Sequence, residues 1–488
     1  MSVEREFERR TQAVPKLGLG LSVDVYSPDL GEVMSRFQRS AFWPAYLEIF
    51  RATMTALRAV SRYVGEIPLA YHGEGLWITQ PDFSSMPFLE RELTQVASEL
   101  NLLGSPWLNH ECATKQMGGY TFGTYLPPLY TSESARLVAG NIALVQERLD
   151  QNRRPGEKFG PLFLLEMPPL TYFMAGTISV AEYFRLVTER TPCGLVLDIG
   201  HLWTVYRYTA ARRQSSLQEF VERFLDEFPM DHVIEIHIAG LALHEAGRNA
   251  VVQQEYPEWI DAHAAPIQPV CWAILDQVLL HPCLRHLRGV ALEVDTKPVE
   301  LIVGEFAAAR RRLGPAIDRL MEVTPSCSAG VEPVTHGGQA HGVEIDRRFL
   351  EEDYVRYAQI VSGHEPPTGP AWKAVVDDPS GLERYMHAYL PHEILEWGGA
   401  LTDMFPETCR GLHEEGVALD AFLTWWFDRP RPTDRPYDFF LLKMDRFVEF
   451  VGERASTLLD LARHEAGALR QAYEDANAGS RSLTEFCP

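Results

Sequence analysis

Short apolar runs recur along the first 300 residues of the chain, and seven of them end in an acidic or imidazole side chain. A run of about four to eight strand-forming residues predicts a buried β-strand. The charged residue then lies at the C-terminal end of that strand. The seven runs are PLAYHGEG, WLNHE, LFLLEMP, GLVLDIGH, VIEIHIAG, WIDAH and GVALEVD.

The strands alternate with segments of helical periodicity. LGLGLSVD (17–24) and YLEIF (46–50) are two further strands, and helices are expected near 178–190, 215–228 and 268–280. Without WIDAH these are eight strands, each followed by a helix and too apolar to be half exposed. They predict an α/β fold of the (β/α)8 TIM-barrel type. An open, doubly wound sheet is the main alternative. It is less favoured because its site draws on few strands, whereas charged residues here follow six of the eight.

The pattern changes after about residue 325, and a chain of 488 residues is in any case long for one core. We expect a catalytic barrel over residues 1–325 and a linker rich in Gly, Ser, Thr and Pro over 326–340. Residues 341–488 are helical in pattern, with FLEEDYVRYAQIV and FFLLKMDRFVEFV as clear examples, and predict a mainly α-helical domain with a frayed tail. The prolines of RPRPTDRP (429–436) interrupt its helices.

Charge and cysteine usage narrow the class of protein. A net charge of -22 argues against a polyanionic partner such as nucleic acid. No run of about 18 apolar residues occurs, and MSVEREFERR lacks the apolar stretch of a signal peptide. The seven cysteines are scattered and form no CxxC pair. We therefore expect a cytoplasmic protein with reduced thiols that binds neither nucleic acid nor membrane.

Nine residues of metal-ligand type occupy the predicted strand ends: His72, His110, Glu166, Asp198, His201, His237, Asp261, His263 and Glu293. In a parallel barrel these ends meet at the face where active sites are built. Carboxylates and imidazoles without thiolates suit zinc, iron or manganese. Buried charges are too costly to accumulate without a cation, and nine ligands exceed the needs of one ion. The pattern therefore predicts a cluster of two or three metal ions.

Spacing supports this interpretation at two places. Asp198 and His201 are three residues apart just after a strand, so both can turn toward one point. Asp261 and His263 are two apart, which in an extended segment puts both on one face. A single strand-end residue of this kind is more often structural than a ligand, so the prediction depends on the set. Four other histidines of the barrel region fall outside the pattern and are expected at the surface or on helices: His232, His244, His281 and His286.

The motifs YHGEGL, LNHE, LFLLEMPPLTYF, TPCGLVLDIGHLW, EIHIAGL, WIDAHAAPIQPVCWAIL and LEVDTKP follow one another over about residues 16–300. In this order they resemble the motifs of multinuclear non-haem iron-dependent oxidative enzymes, the family of the oxidase of methanobactin biosynthesis. The resemblance implies a TIM barrel with two or three iron ions (Fe2+ and Fe3+) and O2 as co-substrate. It also implies a ribosomally made precursor peptide as the substrate, oxidised often at cysteine, in natural-product biosynthesis.

The resemblance also implies how the ligands are shared. One ion would be held by His72, His110 and Glu166. A second would be held by Glu166, Asp198, His237 and Glu293, with Glu166 bridging, and these four are the expected catalytic residues. A third would be held by His201, Asp261 and His263.

Two positions depart from the pattern of the family. His201 stands where many members have Asn, which should strengthen the third site. Glu74 of HGEG stands where a small apolar residue is common, and this should alter the substrate pocket.

The C-terminal region carries a fainter resemblance. MFPETCRGL, RPRPTDRPYDFFLLKMDRFVEFV and LLDLARHEAGALRQAY resemble helical partner proteins encoded beside such oxidases, which help to present the precursor peptide. The partner would here be fused to the barrel, with exposed Trp425 and Trp426 as peptide anchors. The alternative is a helical extension that stabilises or dimerises the barrel, and these tryptophans would then be core residues.

Other functions are compatible with such a site. The nine residues are also similar to the three-zinc site of endonuclease IV-type barrels, so a metal-dependent phosphodiesterase is the main alternative. A sugar-isomerase-like enzyme stays open because fold does not determine function. A non-enzymatic metal-storage or peptide-binding module gains little support from so complete a ligand set.

Overall fold

The computed structural model describes residues 2–243, 259–322, 347–366, 376–396, 399–428, 430 and 438–477. Its strands are β1 (Gly18–Val23), β2 (Leu47–Phe50), β3 (Leu69–His72), β4 (Trp107–Glu111), β5 (Thr114–Met117), β6 (Tyr120–Leu126), β7 (Leu162–Glu166), β8 (Gly194–Asp198), β9 (Val233–Ile238), β10 (Leu241–Leu243), β11 (Trp259–Asp261) and β12 (Gly289–Glu293).

Eight parallel strands close into a barrel in the order β1-β12-β9-β8-β7-β4-β3-β2. These are the eight strands expected from the sequence, and the TIM-barrel prediction is confirmed. Two antiparallel ribbons, β5–β6 and β10–β11, lie outside the barrel. The WIDAH run is therefore a strand, but its partner is β10 and not a barrel strand.

Helices surround the barrel and continue beyond it. The barrel region contains α1 (Val3–Thr11), α2 (Leu30–Phe37), α3 (Met54–Val64), α4 (Leu89–Leu103), α5 (Ser132–Gln151), α6 (Val180–Thr188), α7 (Ile199–Tyr208), α8 (Ala211–Gln214), α9 (Leu217–Glu227), α10 (Pro269–Leu279) and α11 (Val299–Glu322). The C-terminal region contains α12 (Arg347–Val361), α13 (Pro379–Arg384), a π-helical turn (Tyr385–Tyr389), α14 (Leu390–Leu395), α15 (Leu401–Met404), α16 (Pro406–Glu414), α17 (Ala421–Phe427), α18 (Phe439–Arg454) and α19 (Leu459–Asn477).

Large side chains fill the lower half of the barrel, at the N-terminal ends of the strands. Tyr46 and Trp107 are fully buried there, and Phe7 of α1 packs into the same cluster. Phe7 stacks on His232 with ring centroids 3.9 Å apart and meets His286 edge-on at 5.6 Å. These contacts close one end of the barrel, so any site lies at the other.

Two of the four histidines set aside above are buried at this closed end. His232 and His286 are only 9% and 8% exposed, so a surface position for them is wrong. The reason is α1, which covers both rings. His281 is partly exposed, and His244 lies outside the described residues.

The C-terminal helices share an apolar core with the β5–β6 hairpin. Met117 and Phe122 of the hairpin are buried in one cluster with Trp425 and Trp426. The indole N–H of Trp426 donates to the carbonyl oxygen of Thr121 at 2.8 Å. Trp425 and Trp426 are 3% and 1% exposed, so the expectation that they are exposed anchors is wrong. Sequence patterns had not predicted the hairpin that covers them.

The linker 326–340 and the tail beyond residue 477 lie outside the described residues, so the domain boundaries stay a prediction. Five cysteines are unpaired within the described part of the chain: Cys112, Cys193, Cys271, Cys283 and Cys409. Among the helices that the structure describes, none is both long enough and apolar enough to cross a bilayer.

The shared core leads to a stability prediction. Phe122 is completely buried and packs beside Phe427, so Phe122→Ala should lower the free energy of unfolding by about 3–5 kcal/mol. Chemical denaturation followed by circular dichroism measures this. Leu280→Ala is the control, because Leu280 is 78% exposed, and its effect should stay within about 0.5 kcal/mol. Equal effects of the two changes would contradict a core shared by the hairpin and the helices.

Candidate metal centre

All nine predicted ligands lie at the open mouth of the barrel. Four of them end barrel strands: His72 (β3), Glu166 (β7), Asp198 (β8) and Glu293 (β12). His110 and His237 are the last residue but one of β4 and β9, and His201 is in the first turn of α7. Asp261 ends β11, and His263 follows it by two residues. Parallel strand geometry thus brings residues from distant parts of the chain to one place.

Glu166 lies at the centre of the group. Its Oε2 is 3.1 Å from His72 Nε2 and accepts a hydrogen bond from the Asn109 amide at 2.6 Å. Its Oε1 is 3.3 Å from His237 Nδ1 and 3.8 Å from His201 Nδ1. The two oxygens therefore face different histidines, which is the arrangement that a bridging carboxylate needs.

Glu293 joins the other ligands to this centre. Its Oε1 is 3.3 Å from His237 Nδ1, and its Oε2 is 3.4 Å from His263 Nε2. Asp261 Oδ2 lies 3.2 Å from both His201 Nε2 and His263 Nε2. Three sets of ligand atoms lie within 4.8 Å of one another in this part of the site: Glu166, His237 and Glu293; Glu166, Asp198 and His201; and Asp261, His263 and Glu293.

His110 stands apart from these sets. Its Nε2 accepts the Leu76 backbone N–H at 3.1 Å, and its Nδ1 lies 2.9 Å from the Glu111 carbonyl oxygen. Burial lowers the pKa of His110 to about 4, so the ring is neutral. Of the predicted set His72, His110 and Glu166, the structure brings only His72 and Glu166 into contact. The first site thus stays a prediction.

Local structure explains the spacing of Asp198, Gly200 and His201 in the LDIGH motif. The Asp198 carboxylate caps α7 by accepting the His201 backbone N–H at 2.5 Å, which holds His201 in the first helical turn. A Cβ on Gly200 would lie 2.9 Å from Asp261 Oδ1 and 3.2 Å from Asp198 Oδ1. Glycine at this position therefore leaves room for two carboxylates to approach each other.

Two buried carboxylates that sequence reasoning missed lie behind His237. Glu48 Oε2 is 3.0 Å from His237 Nε2, and Glu48, Glu235 and His237 form a fourth set of close ligand atoms. Burial and the charge of Glu48 raise the pKa of Glu235 to about 8, and Glu235 accepts the Tyr46 hydroxyl at 2.5 Å. Glu235 precedes His237 by two residues, so strand alternation alone could have placed both inside the barrel.

Two buried carboxylate oxygens of the centre have no hydrogen-bond partner among the described residues. They are Asp198 Oδ2 and Asp261 Oδ1. The buried atoms of His237, Glu48, Glu235 and Glu293 are without hydrogen bonds of good geometry and meet only one another or His263 and Glu166, at 3.0–3.7 Å. Unpaired buried polar atoms are costly, and most such atoms in proteins have partners. Oxygen and imidazole donors also suit zinc, iron or manganese. The residues present therefore fit a centre of more than one metal ion.

Glu74, the departure noted above, is part of the wall of the mouth. Its carboxylate contacts the Lys115 ammonium of β5 and lies 3.4 Å from the Tyr125 hydroxyl of β6. Burial alone would raise the pKa of Glu74, but Lys115 and Arg51 lower it to about 2. Glu74 is thus an ionised residue that ties the β5–β6 hairpin to the site.

Comparisons with known proteins show a family match over the barrel region. The family model described as RiPP precursor modification enzyme MbnB/TglH/ChrH matches residues 16–313, more than half of the 488 residues. A UPF0276 protein of Rhizorhabdus wittichii is 26% identical over 245 residues, which cover 50% of this chain and 75% of that protein. A UPF0276 protein of Paraburkholderia phytofirmans is 29% identical over 217 residues, 44% of this chain and 61% of that protein.

Solved structures similar to this one include endonuclease IV from Thermus thermophilus and the IOLI protein with a binding zinc atom. The first is 17% identical with a TM-score of 0.36, covering 62% of this chain and 99% of that chain. The second is 13% identical with a TM-score of 0.35, covering 63% of this chain and 100% of that chain. The assignment of the fold itself follows from the closed barrel of eight strands.

The position of Glu166 leads to a prediction. Glu166→Gln keeps the size of the side chain but removes the charge that faces His72, His201 and His237. We expect it to lower bound metal by more than one ion per chain, because both carboxylate oxygens are shared. Elemental analysis after anaerobic metal loading measures the loss.

Glu99→Gln is a matched control for Glu166→Gln. Glu99 is also completely buried, but it accepts the Tyr71 hydroxyl at 2.5 Å and belongs to none of the metal-ligand sets. Its replacement should leave the metal content unchanged. Equal metal loading in Glu166→Gln and the unmodified protein would refute the bridging role.

A second prediction concerns pH. Burial disfavours protonated imidazoles here, but the neighbouring carboxylates outweigh it: they raise the pKa of His72 to about 10 and raise the pKa values of His201, His237 and His263. The raised pKa values favour protonated rings in the ion-free protein, whereas a metal ligand must be deprotonated. Metal binding should therefore release protons, and affinity should rise from about pH 6 to about pH 8.

Anaerobic calorimetric titration with Fe2+ in two buffers of different ionisation enthalpy counts the released protons. A binding enthalpy that does not depend on the buffer, together with equal affinity across this pH range, would show that the imidazoles are neutral before the ion arrives.

Proposed function

The chain belongs to the RiPP precursor modification enzyme family MbnB/TglH/ChrH, and we propose that it oxidises a ribosomally made precursor peptide, at cysteine, with O2 at a centre of two or three iron ions. The observation that carries the proposal is the position of Glu166 among imidazoles from β3, α7 and β9. A carboxylate shared in this way is suited to holding two ions close together.

The residues present indicate how such a centre would be held. Glu166, His237 and Glu293 would bind one ion, and Glu166 would share a second with Asp198 and His201. Asp261 and His263 would complete a third set with Glu293. Iron bound there would supply O2 activation and coordination of a substrate thiolate. In the net reaction O2 accepts the electrons and protons that the cysteine loses: two of each give hydrogen peroxide, and four of each give two molecules of water.

The ligand side chains of the centre differ in their exposure to solvent, and this difference indicates from which side a substrate can approach. The side chains of Glu166 and His237 are at most 1% exposed, whereas that of His263 is 27% exposed. The inner ligands are thus shielded from water, and this keeps reactive species away from solvent. We propose that the cysteine side chain enters from the side of His263.

We further propose that the β5–β6 hairpin and the helical region hold the peptide at this mouth. Lys115 and Tyr125 of the hairpin contact Glu74 beside the site. The Tyr385 hydroxyl donates to the Tyr125 carbonyl oxygen at 3.3 Å, so the helices reach the same hairpin. A partner-like function of the helices would therefore act through the hairpin and not through the buried Trp425.

The proposed function is tested with protein purified without oxygen. We expect more than one iron per chain. The ligands are nitrogen and oxygen atoms, which suit iron, and they form more sets than one ion can use. We also expect O2-dependent oxidation of a synthetic cysteine-bearing peptide taken from a short reading frame beside the gene. Elemental analysis measures the iron, and mass spectrometry locates the change at the cysteine.

Two controls separate the alternatives. The same peptide with serine in place of cysteine should remain unchanged. Lys115→Gln should keep the iron content, because Lys115 contacts Glu74 and belongs to none of the ligand sets, while it weakens peptide binding. Zinc as the only bound metal, with no peptide oxidation after iron loading, would overturn the oxidase and favour a phosphodiesterase.

A further inference from the structure

The two ligands on the β10–β11 ribbon reach the site from outside the barrel. Asp261 ends β11, whose strand partner in the described part of the chain is β10, and His263 lies in the segment that follows. The hydrogen-bonded ladder of the barrel therefore does not position them. Within the described residues, a backbone hydrogen bond from Ala262 N–H to the Gly240 carbonyl oxygen at 2.8 Å ties this segment to the barrel wall, beside the β10 pairing. His263 thus needs another element to orient its ring.

Asp295, two residues after β12, contacts His263 on the side away from the centre. Asp295 Oδ2 lies 2.9 Å from His263 Nδ1, and Asp295 Oδ1 accepts the Asp24 backbone N–H at 2.7 Å. With Nδ1 donating to Asp295, the ring leaves its Nε2 available for an ion. That nitrogen lies 3.2 Å from Asp261 Oδ2 and 3.4 Å from Glu293 Oε2.

The backbone around Asp295 is held firmly. Thr296, the next residue, has a φ of 56°. This is the left-handed region of the backbone, which residues other than glycine rarely adopt. The Thr296 N–H donates to the Ser27 carbonyl oxygen at 2.9 Å. The Lys297 N–H donates to the Val294 carbonyl oxygen at 3.1 Å. Backbone strain of this kind persists where surrounding structure enforces it, and it is common at functional sites.

The same loop also secures the segment after His263. The Lys297 ammonium is completely buried and lies 2.7 Å from Glu305 Oε2. The other oxygen of Glu305 accepts the Ile267 backbone N–H at 2.7 Å. The loop after β12 therefore holds the ribbon at two points, one on His263 itself and one four residues later.

We propose that Asp295 is a positioning residue: it holds the His263 ring in the tautomer and orientation that direct Nε2 into the metal centre. A carboxylate on the outer nitrogen of a metal-bound histidine is a known means of fixing the ring and raising its basicity. The proposal rests on the metal centre of the proposed function, but it needs neither iron chemistry nor a peptide. It can therefore fail while that function stands.

The test uses the full chain and Co2+ alone as the probe. In Asp295→Ala we expect one Co2+ site to bind about 10-fold to 100-fold more weakly, while the remaining sites keep their affinity. Asp295→Asn, which keeps one acceptor oxygen, should lose less. In proton NMR of the Co2+ form, the exchangeable N–H of His263 should give a shifted, slowly exchanging resonance in the unmodified protein and lose that protection in Asp295→Ala. His263→Gln identifies the resonance.

Asp24→Asn is the matched control, because it removes a negative charge beside Asp295. Among the described residues, the Asp24 carboxylate itself accepts a hydrogen bond only from the Tyr26 N–H of its own loop. Affinity unchanged in Asp295→Ala would overturn the proposal. An equal loss in Asp24→Asn would also overturn it, since general charge and not the hydrogen bond would then be responsible. A uniform loss at all sites with a lower melting temperature would reveal a merely structural role. No Co2+ binding by the unmodified protein would instead count against the metal centre itself.

Discussion

The balance of buried charge around Glu166 is the constraint on which the rest of the site depends. Glu166, Asp198, Glu48 and Glu235 are at most 1% exposed, and the imidazole of His237 is equally buried among them. Carboxylates in such a place are tolerated only with hydrogen bonds, protons or cations to compensate them. In the ion-free chain the histidines supply part of that compensation, which is why carboxylates raise the pKa of His237. A metal ion would take the place of those protons.

The two ends of the barrel differ in polarity: the mouth is charged, and the opposite end is apolar. Tyr46 and Trp107 fill the interior beneath the centre, and Phe7 of α1 covers the bottom. The Tyr46 hydroxyl also reaches upward to Glu235 at 2.5 Å, so the apolar layer supports the charged layer directly. The charged groups of the mouth thus rest on a packed apolar layer, with the Tyr46–Glu235 hydrogen bond as a contact between the two.

Site residues at the ends of strands could be predicted from the sequence, whereas those inside the barrel could not, and the reason is physical. His72, Glu166, Asp198 and Glu293 end apolar runs, and parallel strands must bring such ends together. Glu48 sits inside a short run, LEIF, where nothing in the pattern distinguishes a residue that faces into the barrel from one that faces the helices. Trp425 was placed wrongly because helical periodicity shows that a face is apolar, but the tertiary partner that covers the face comes from a distant hairpin.

That hairpin also explains why the helical region matters to the site. One part of β5–β6 packs Phe122 into the helical core, and another part places Lys115 against Glu74 at the mouth. Gly123, with a φ of +74° and the Phe439 ring 2.7 Å from where a Cβ would be, lets the hairpin approach α18 closely. The hairpin is therefore a short, well-packed link between the two regions. Contacts therefore run from the helices through the hairpin to Glu74 at the mouth.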